Sequence, residues 1–124
     1  MNTLDAPIWQ PSPLRIAETR LTAFIAAADK RWNRGLAGAE YSTLHAWSIE
    51  HPEEFWVSVW EFGEVRGEMG ATVVIDREKM PGAQWFPGVT MNYVDQVFRH
   101  ATAARPAIVS RNEAGVNREM SWAE

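Results

Sequence analysis

Aromatic side chains dominate the middle of this chain and limit what it can fold into. Between Tyr41 and Phe62 lie Trp47, Phe55, Trp56, Trp60 and Phe62, and the theme returns at Trp85-Phe86-Pro87-Gly88. Three of the seven tryptophans, Trp47, Trp56 and Trp60, fall within fourteen residues. Each buried aromatic removes roughly 150–250 Å² of surface from water, so this block carries most of the available packing energy. Such a block is a core, a docking face or the wall of a site, and the residues around it must decide which.

The chain is 124 residues long, the length of one ordinary domain, with globular hydrophobic and charged fractions of 46% and 23%. The most membrane-like stretch, Leu21 to Ala28, is too short and too rich in alanine to span a bilayer. Met1 to Pro7 has neither the basic nor the apolar region of a signal peptide. With no cysteine there is no disulfide and no thiolate metal site, which agrees with a cytoplasmic location. Residues 1–39 carry five basic and three acidic groups, residues 40–88 three basic and nine acidic, and residues 89–124 four of each. The aromatic block therefore sits in the most acidic third, the wrong sign for a phosphate backbone, so nucleic acid is not expected as a partner.

Local signals divide the chain. Residues 1–12, with Pro7, Trp9 and Pro11, read as an extended lead-in. Ser12-Pro13 is a helix start, a hydroxyl N-cap followed by proline at the first helical position. Leu14, Ala17, Leu21, Phe24, Ile25 and Ala28 then predict one helix to about Lys30, ended by Gly35 and Gly38. A short helix is expected over Ser42 to Ile49, with Leu44, Trp47 and one of Ile49 and Ser48 inward. Pro52 opens another, with Glu53 and Glu54 in the first turn, where the helix dipole favours negative charge. Phe55, Trp56, Val59, Trp60 and Gly63 are expected to mark one face of it. Ala71 to Ile75 reads as a strand, and Met80 to Gly88, with two Pro-Gly steps, as a loop. A helix over Asn92 to Ala103 follows, then a strand over Pro106 to Arg111, a turn around Gly115 and a returning strand from Arg118. Ser121 and Glu124 have capping-box spacing, in which the glutamate reaches back to the serine amide and a helix comes next. With nothing after Glu124, this box suggests a truncated sequence.

No catalytic constellation emerges. His45, His51 and His100 lack the spacing of a metal pair. Glu53-Glu54 and Asp76/Glu78 are paired carboxylates, and the helix-start pair reads as dipole partners and surface charge. Gly63, Gly67 and Gly70 form neither GxGxxG nor a Gly-Lys-Ser/Thr loop. No catalytic, cofactor-binding or metal residue is assigned. The docking or core residues are Trp47, Phe55, Trp56, Val59, Trp60, Trp85 and Phe86.

The aromatic block also has a characteristic order. Tyr41-x-x-Leu44-His45-x-Trp47-Ser48, Pro52-Glu53-x-Phe55-Trp56-x-x-Val59-Trp60-x-Phe62 and Met80-Pro81-Gly82-Ala83-x-Trp85-Phe86-Pro87-Gly88-x-x-x-Asn92-Tyr93 closely resemble the N-terminal region of acetoacetyl-CoA synthetases. Trp9-x-Pro11-Ser12-Pro13-x-Arg15-Ile16 is similar to that family's start, and acetyl-CoA and propionyl-CoA synthetases are more distantly similar. The chain departs from the pattern at Val94-Asp95-Gln96-Val97-Phe98, where the family commonly has Ala-Glu-Asn-Leu-Leu. The resemblance implies an adenylate-forming ligase that joins acetoacetate to CoA with ATP and magnesium. The family's phosphate loop, acidic and aromatic motifs and mobile-domain lysine match no position here, so no functional residue carries over and this portion alone is expected to be inactive.

The fold class expected is α+β, mainly helical, with a short β-hairpin near the end. The implied organisation is a lead-in over 1–12, a helical acyl-CoA synthetase N-terminal domain over 13–104, and the start of the AMP-binding domain over 105–124. The partner implied is the remainder of the ligase, its adenylation domain, with no membrane. The competing reading is a free-standing, tryptophan-rich helical module that binds another protein.

Overall fold

The computed structural model describes residues 8–124; the first seven residues of the expected lead-in lie outside them. In order the elements are α1 (Pro13–Ala17), α2 (Arg20–Trp32), α3 (Tyr41–Glu50), α4 (Pro52–Phe62), β1 (Val74–Ile75), β2 (Gln84–Trp85), α5 (Tyr93–Phe98), β3 (Ile108–Arg111) and β4 (Asn117–Met120). This is the α+β, mainly helical architecture expected. The described residues fall into two compact units: the chain to Val65 with Gly70–Pro87, and Arg66–Met69 with Gly88–Glu124.

In the first unit, Ser12 caps α1 as its sequence suggests, accepting from the Arg15 amide at 3.3 Å. The single helix expected from Pro13 to Lys30 is instead two. The Thr19 hydroxyl donates to the Ile16 carbonyl at 2.9 Å and accepts from the Thr22 amide at 3.1 Å, so one side chain ends α1 and caps α2. Freed from the longer helix, α1 buries no residue. α2 ends at Asn33, which takes a left-handed conformation with φ 51°. Its Asp29 carboxylate then accepts from the Leu36 and Ala37 amides at 2.9 and 3.3 Å. That turn drives Leu36 into the interior, where it is 2% exposed.

Phe24, Ala28, Leu36, Leu44 and Trp47 form the buried core, with Ile25, Trp32, Phe55, Val59 and Phe62 packed against it. Leu44 and Trp47 face inward from α3, as their i, i+3 spacing predicts, whereas Ile49 is exposed. The single aromatic face expected on α4 is not one face. Neighbouring helical positions point about 100° apart, so Phe55 and Val59 turn to the core while Trp56 and Trp60 turn to the segment that returns after Gly70. The buried residues of α4 are Val57 and Ser58, neither of which the pattern picked out.

The returning segment corrects two expectations. The strand begins at Val74, not Ala71, and the stretch read wholly as loop contains its partner. The antiparallel register is Val74↔Trp85 and Ile75↔Gln84, extended by Phe86 N–H donating to the Val73 carbonyl at 2.7 Å. Pairing, not residue type, makes Gln84–Trp85 a strand.

In the second unit the Asn92 side chain caps α5 by accepting from the Val94 amide at 3.0 Å. The helix ends at Phe98, short of Ala103, through tight His100-to-Val97 and Ala101-to-Phe98 bonds. Gln96 holds both backbone groups of Arg66, accepting from its N–H and donating to its carbonyl, each at 2.9 Å. β3 and β4 pair antiparallel from Ile108↔Met120 to Arg111↔Asn117. Their turn is closed by Asn112, which accepts from the Val116 amide at 3.0 Å, with Gly115 at φ 76°. The capping-box glutamate reaches back as its spacing predicts: Glu124 accepts from the Ser121 amide at 2.8 Å, which holds its carboxyl below the usual range.

Candidate docking surface

Phe55 is the centre of the aromatic block. It makes edge contacts with Phe24, Trp47 and Trp56, with ring centroids 5.9, 5.8 and 5.4 Å apart. The series continues outward, Trp56 against Trp85 at 5.6 Å, and Trp60 against Phe86 at 5.1 Å. Burial falls along it. Trp47 is 4% exposed, whereas Trp56 and Trp85 are each 41% exposed. Ile75 and Met80, from the same returning segment, are also exposed. One end of the network is therefore core and the other is apolar surface on the same unit.

A polar junction fixes the inner end. The Glu54 carboxylate accepts from the Trp47 indole N–H at 3.0 Å and from Arg34 Nε at 2.9 Å, with a second guanidinium contact completing the pair. The Arg34 hydrogen bonds hold the Glu54 carboxyl below the usual carboxylate range, and the Trp47 N–H adds to this against the cost of burial. The glutamate raises the Arg34 guanidinium in return. Glu54 is thus more than a helix-start charge: it anchors the loop after α2 to the indole of α3. Beside it, Trp32 donates to the Ser58 hydroxyl at 2.8 Å, which donates to the Glu54 carbonyl at 2.8 Å. The sequence carried no sign of these long-range contacts beyond a serine among aromatics.

The remaining polar residues stay apart. Tyr41 stacks on His45 with centroids 6.4 Å apart, His51 sits at the α3–α4 junction, and His100 accepts from Arg99 Nε at 3.0 Å. Asp76 pairs with Lys79 at 2.7 Å and Glu78 with Arg77 at 2.7 Å. Among the described residues no three His, Asp or Glu side chains are placed to hold a metal ion. Gly63 closes α4 by donating to the Val59 carbonyl at 2.8 Å. What the unit offers is a supported apolar surface.

That combination of helical core and returning aromatic hairpin belongs to a known class. Residues 41–97 match the family model described as acetyl-coenzyme A synthetase N-terminus, and in sequence and fold the chain is similar to the N-terminal portion of acyl-CoA synthetases. Within that class its similarity is to acetoacetyl-CoA synthetases. The solved acetoacetyl-CoA synthetase from Streptomyces lividans superposes with a TM-score of 0.82 at 39% identity, over 95% of this chain and 18% of that one. The acetoacetyl-coenzyme A synthetase of Rhizobium meliloti is 29% identical over 97% of this chain and 18% of its own length. That of Xenopus tropicalis is 31% identical over 94% and 17%. The chain thus spans less than one fifth of the relatives it matches. No helix among the described residues is long and apolar enough to cross a membrane.

Proposed function

We propose that this chain is the N-terminal packing region of an ATP-dependent acetoacetate–CoA ligase, which converts acetoacetate, ATP and CoA to acetoacetyl-CoA, AMP and pyrophosphate in the cytoplasm. The single observation that carries this reading is the match to acetoacetyl-CoA synthetases across nearly the whole chain. ATP, magnesium and CoA belong to the remainder of the ligase, and residues 105–124 are read as the start of its AMP-binding domain. The helical region before them contributes stability, with Trp56, Trp60, Trp85 and Phe86 forming the face that meets the adenylation domain and Trp47, Phe55 and Val59 supporting it from within. A half-exposed pair of tryptophans in the most acidic third of the chain has the composition of an interface centre.

The test is a chimaera in which this chain replaces the matched portion of the Streptomyces lividans enzyme. It should release pyrophosphate only with both ATP and acetoacetate, and the same enzyme lacking the region should be unstable or inactive. The 124 residues alone should release none. Pyrophosphate release by the isolated chain, or full activity of the shortened enzyme, overturns the reading.

A further inference from the structure

The first unit leaves both an apolar groove and an apolar arm uncovered. The groove lies among α2, α3 and α4 and holds about 290 Å³. Buried Phe24 and Leu44 line it with Phe55, and exposed Leu21 and Tyr41 line it at the solvent side, the tyrosine stacked on His45. The α3 and α4 walls are acidic. From Glu40 to Phe62 there are five glutamates and no lysine or arginine. Arg34 and Arg31, from outside that stretch, pair with Glu54 and Glu61. Glu40, Glu50 and Glu53 have no ion pair among the described residues.

The arm has the complementary chemistry. Ile8 is fully exposed, Trp9 and Leu14 are 66% and 68% exposed, and α1 buries no residue. Arg15 is the single charged residue from Ile8 to Ala17, and its guanidinium lies 5.6 Å from the Trp9 ring centre. Tryptophan and arginine are the side chains that most often anchor protein interfaces. None of Ile8–Ala17 lines the chain's own groove. The Thr19 and Thr22 hydroxyls both donate to the Ile16 carbonyl, at 2.9 and 2.7 Å, so α1 is pinned to the start of α2 and cannot swing without breaking both bonds.

We infer that two copies of this chain dimerise by exchanging arms, Trp9 of each entering the groove of the other with Arg15 facing Glu40, which adjoins Tyr41 at the groove. Each copy gives one arm and receives one, so the exchange closes at two. Burial of Trp9 and Leu14 carries the contact, and the opposite charges set its register. The inference concerns this chain's own surface and does not rest on the function proposed above.

Sedimentation equilibrium of the isolated chain and of the chimaera tests it, with circular dichroism checking that each variant is folded. Both proteins should show a monomer–dimer equilibrium. Trp9→Ser and Arg15→Glu alter exposed side chains, and Glu40→Lys alters one that makes no cap hydrogen bond to α3. Each should raise the dimer dissociation constant about tenfold or more. Met80→Ser, on the outer aromatic face and 98% exposed, should leave it unchanged. Arg15→Glu and Glu40→Lys chains mixed together should pair more tightly than either does alone, because each arm then meets a groove of opposite charge. An isolated chain that stays monomeric up to about 1 mM overturns the inference. So does a mixture no tighter than its components. A dimer lost in Met80→Ser and kept in Trp9→Ser is joined through the outer face and also overturns it. An active, monomeric chimaera means that the remainder of the ligase covers arm or groove; it overturns this inference and leaves the proposed function standing.

Discussion

Trp47 and Trp56 occupy the two ends of one aromatic network, and truncating each distinguishes core from docking face. Trp47 is 4% exposed and Trp56 is 41% exposed. Taking a tryptophan as roughly 250 Å² and apolar burial as about 25 cal/mol per Å², Trp56→Ala removes about 2 kcal/mol of transfer free energy from the isolated chain after allowing for the alanine that remains. Trp47→Ala removes about 3–4 kcal/mol on the same basis, with a cavity and a stranded Glu54 contact in addition. Urea unfolding followed by circular dichroism should therefore rank Trp47→Ala well below Trp56→Ala in the isolated chain. In the chimaera the order should narrow: a docked Trp56 is fully covered, and its loss should cost about 3–5 kcal/mol. The Michaelis constants for acetoacetate, ATP and CoA should barely move. An equal Trp56→Ala cost in both settings refutes the docking face. So does a large rise in the acetoacetate constant with unchanged melting, which places the indole at substrate instead.

Three further outcomes follow from named contacts. Because hydrogen bonds from Arg34 and Trp47 hold the Glu54 carboxyl low, its stabilising effect is present above the ordinary glutamate value of about 4.3 and is lost as pH falls through its lower folded value. Melting temperatures between pH 3 and 7 should fall on acidification in the wild type and less steeply in Glu54→Gln; Asp29, lowered by the Leu36 amide, keeps some slope in both. Ser58→Ala leaves the Trp32 indole N–H without its acceptor and should cost about 1–2 kcal/mol in urea unfolding, whereas a cost near zero means water replaces the hydroxyl. Gln96→Ala releases both backbone groups of Arg66, so amides of residues 66–69 should exchange faster while those of α2 do not change.

Much of the fold was legible in short-range chemistry. Ser12 before Pro13, Pro52 ahead of two glutamates and Gly115 between two short strands each act within one turn, and the structure uses each as read. The same locality limited the reading elsewhere. Thr19 looked like an interior helical residue, because whether its hydroxyl bonds to Ile16 or faces solvent depends on where the chain turns. Gln84–Trp85 looked like loop, because a two-residue strand exists only through its partner at Val74–Ile75. Glu54 looked like a surface charge, because Arg34 lies twenty residues away in sequence.

The sequence by itself determined the α+β class, the caps and the order of tryptophans that carries the similarity to acyl-CoA synthetase N-terminal portions, since these depend on residue type and spacing alone. The tertiary structure decided what the tryptophans do. Adjacent aromatics on α4 diverge by about 100°, and only the arrival of α2 and α3 on one side and the Val73–Phe86 hairpin on the other makes Phe55 core and leaves Trp56 half in water.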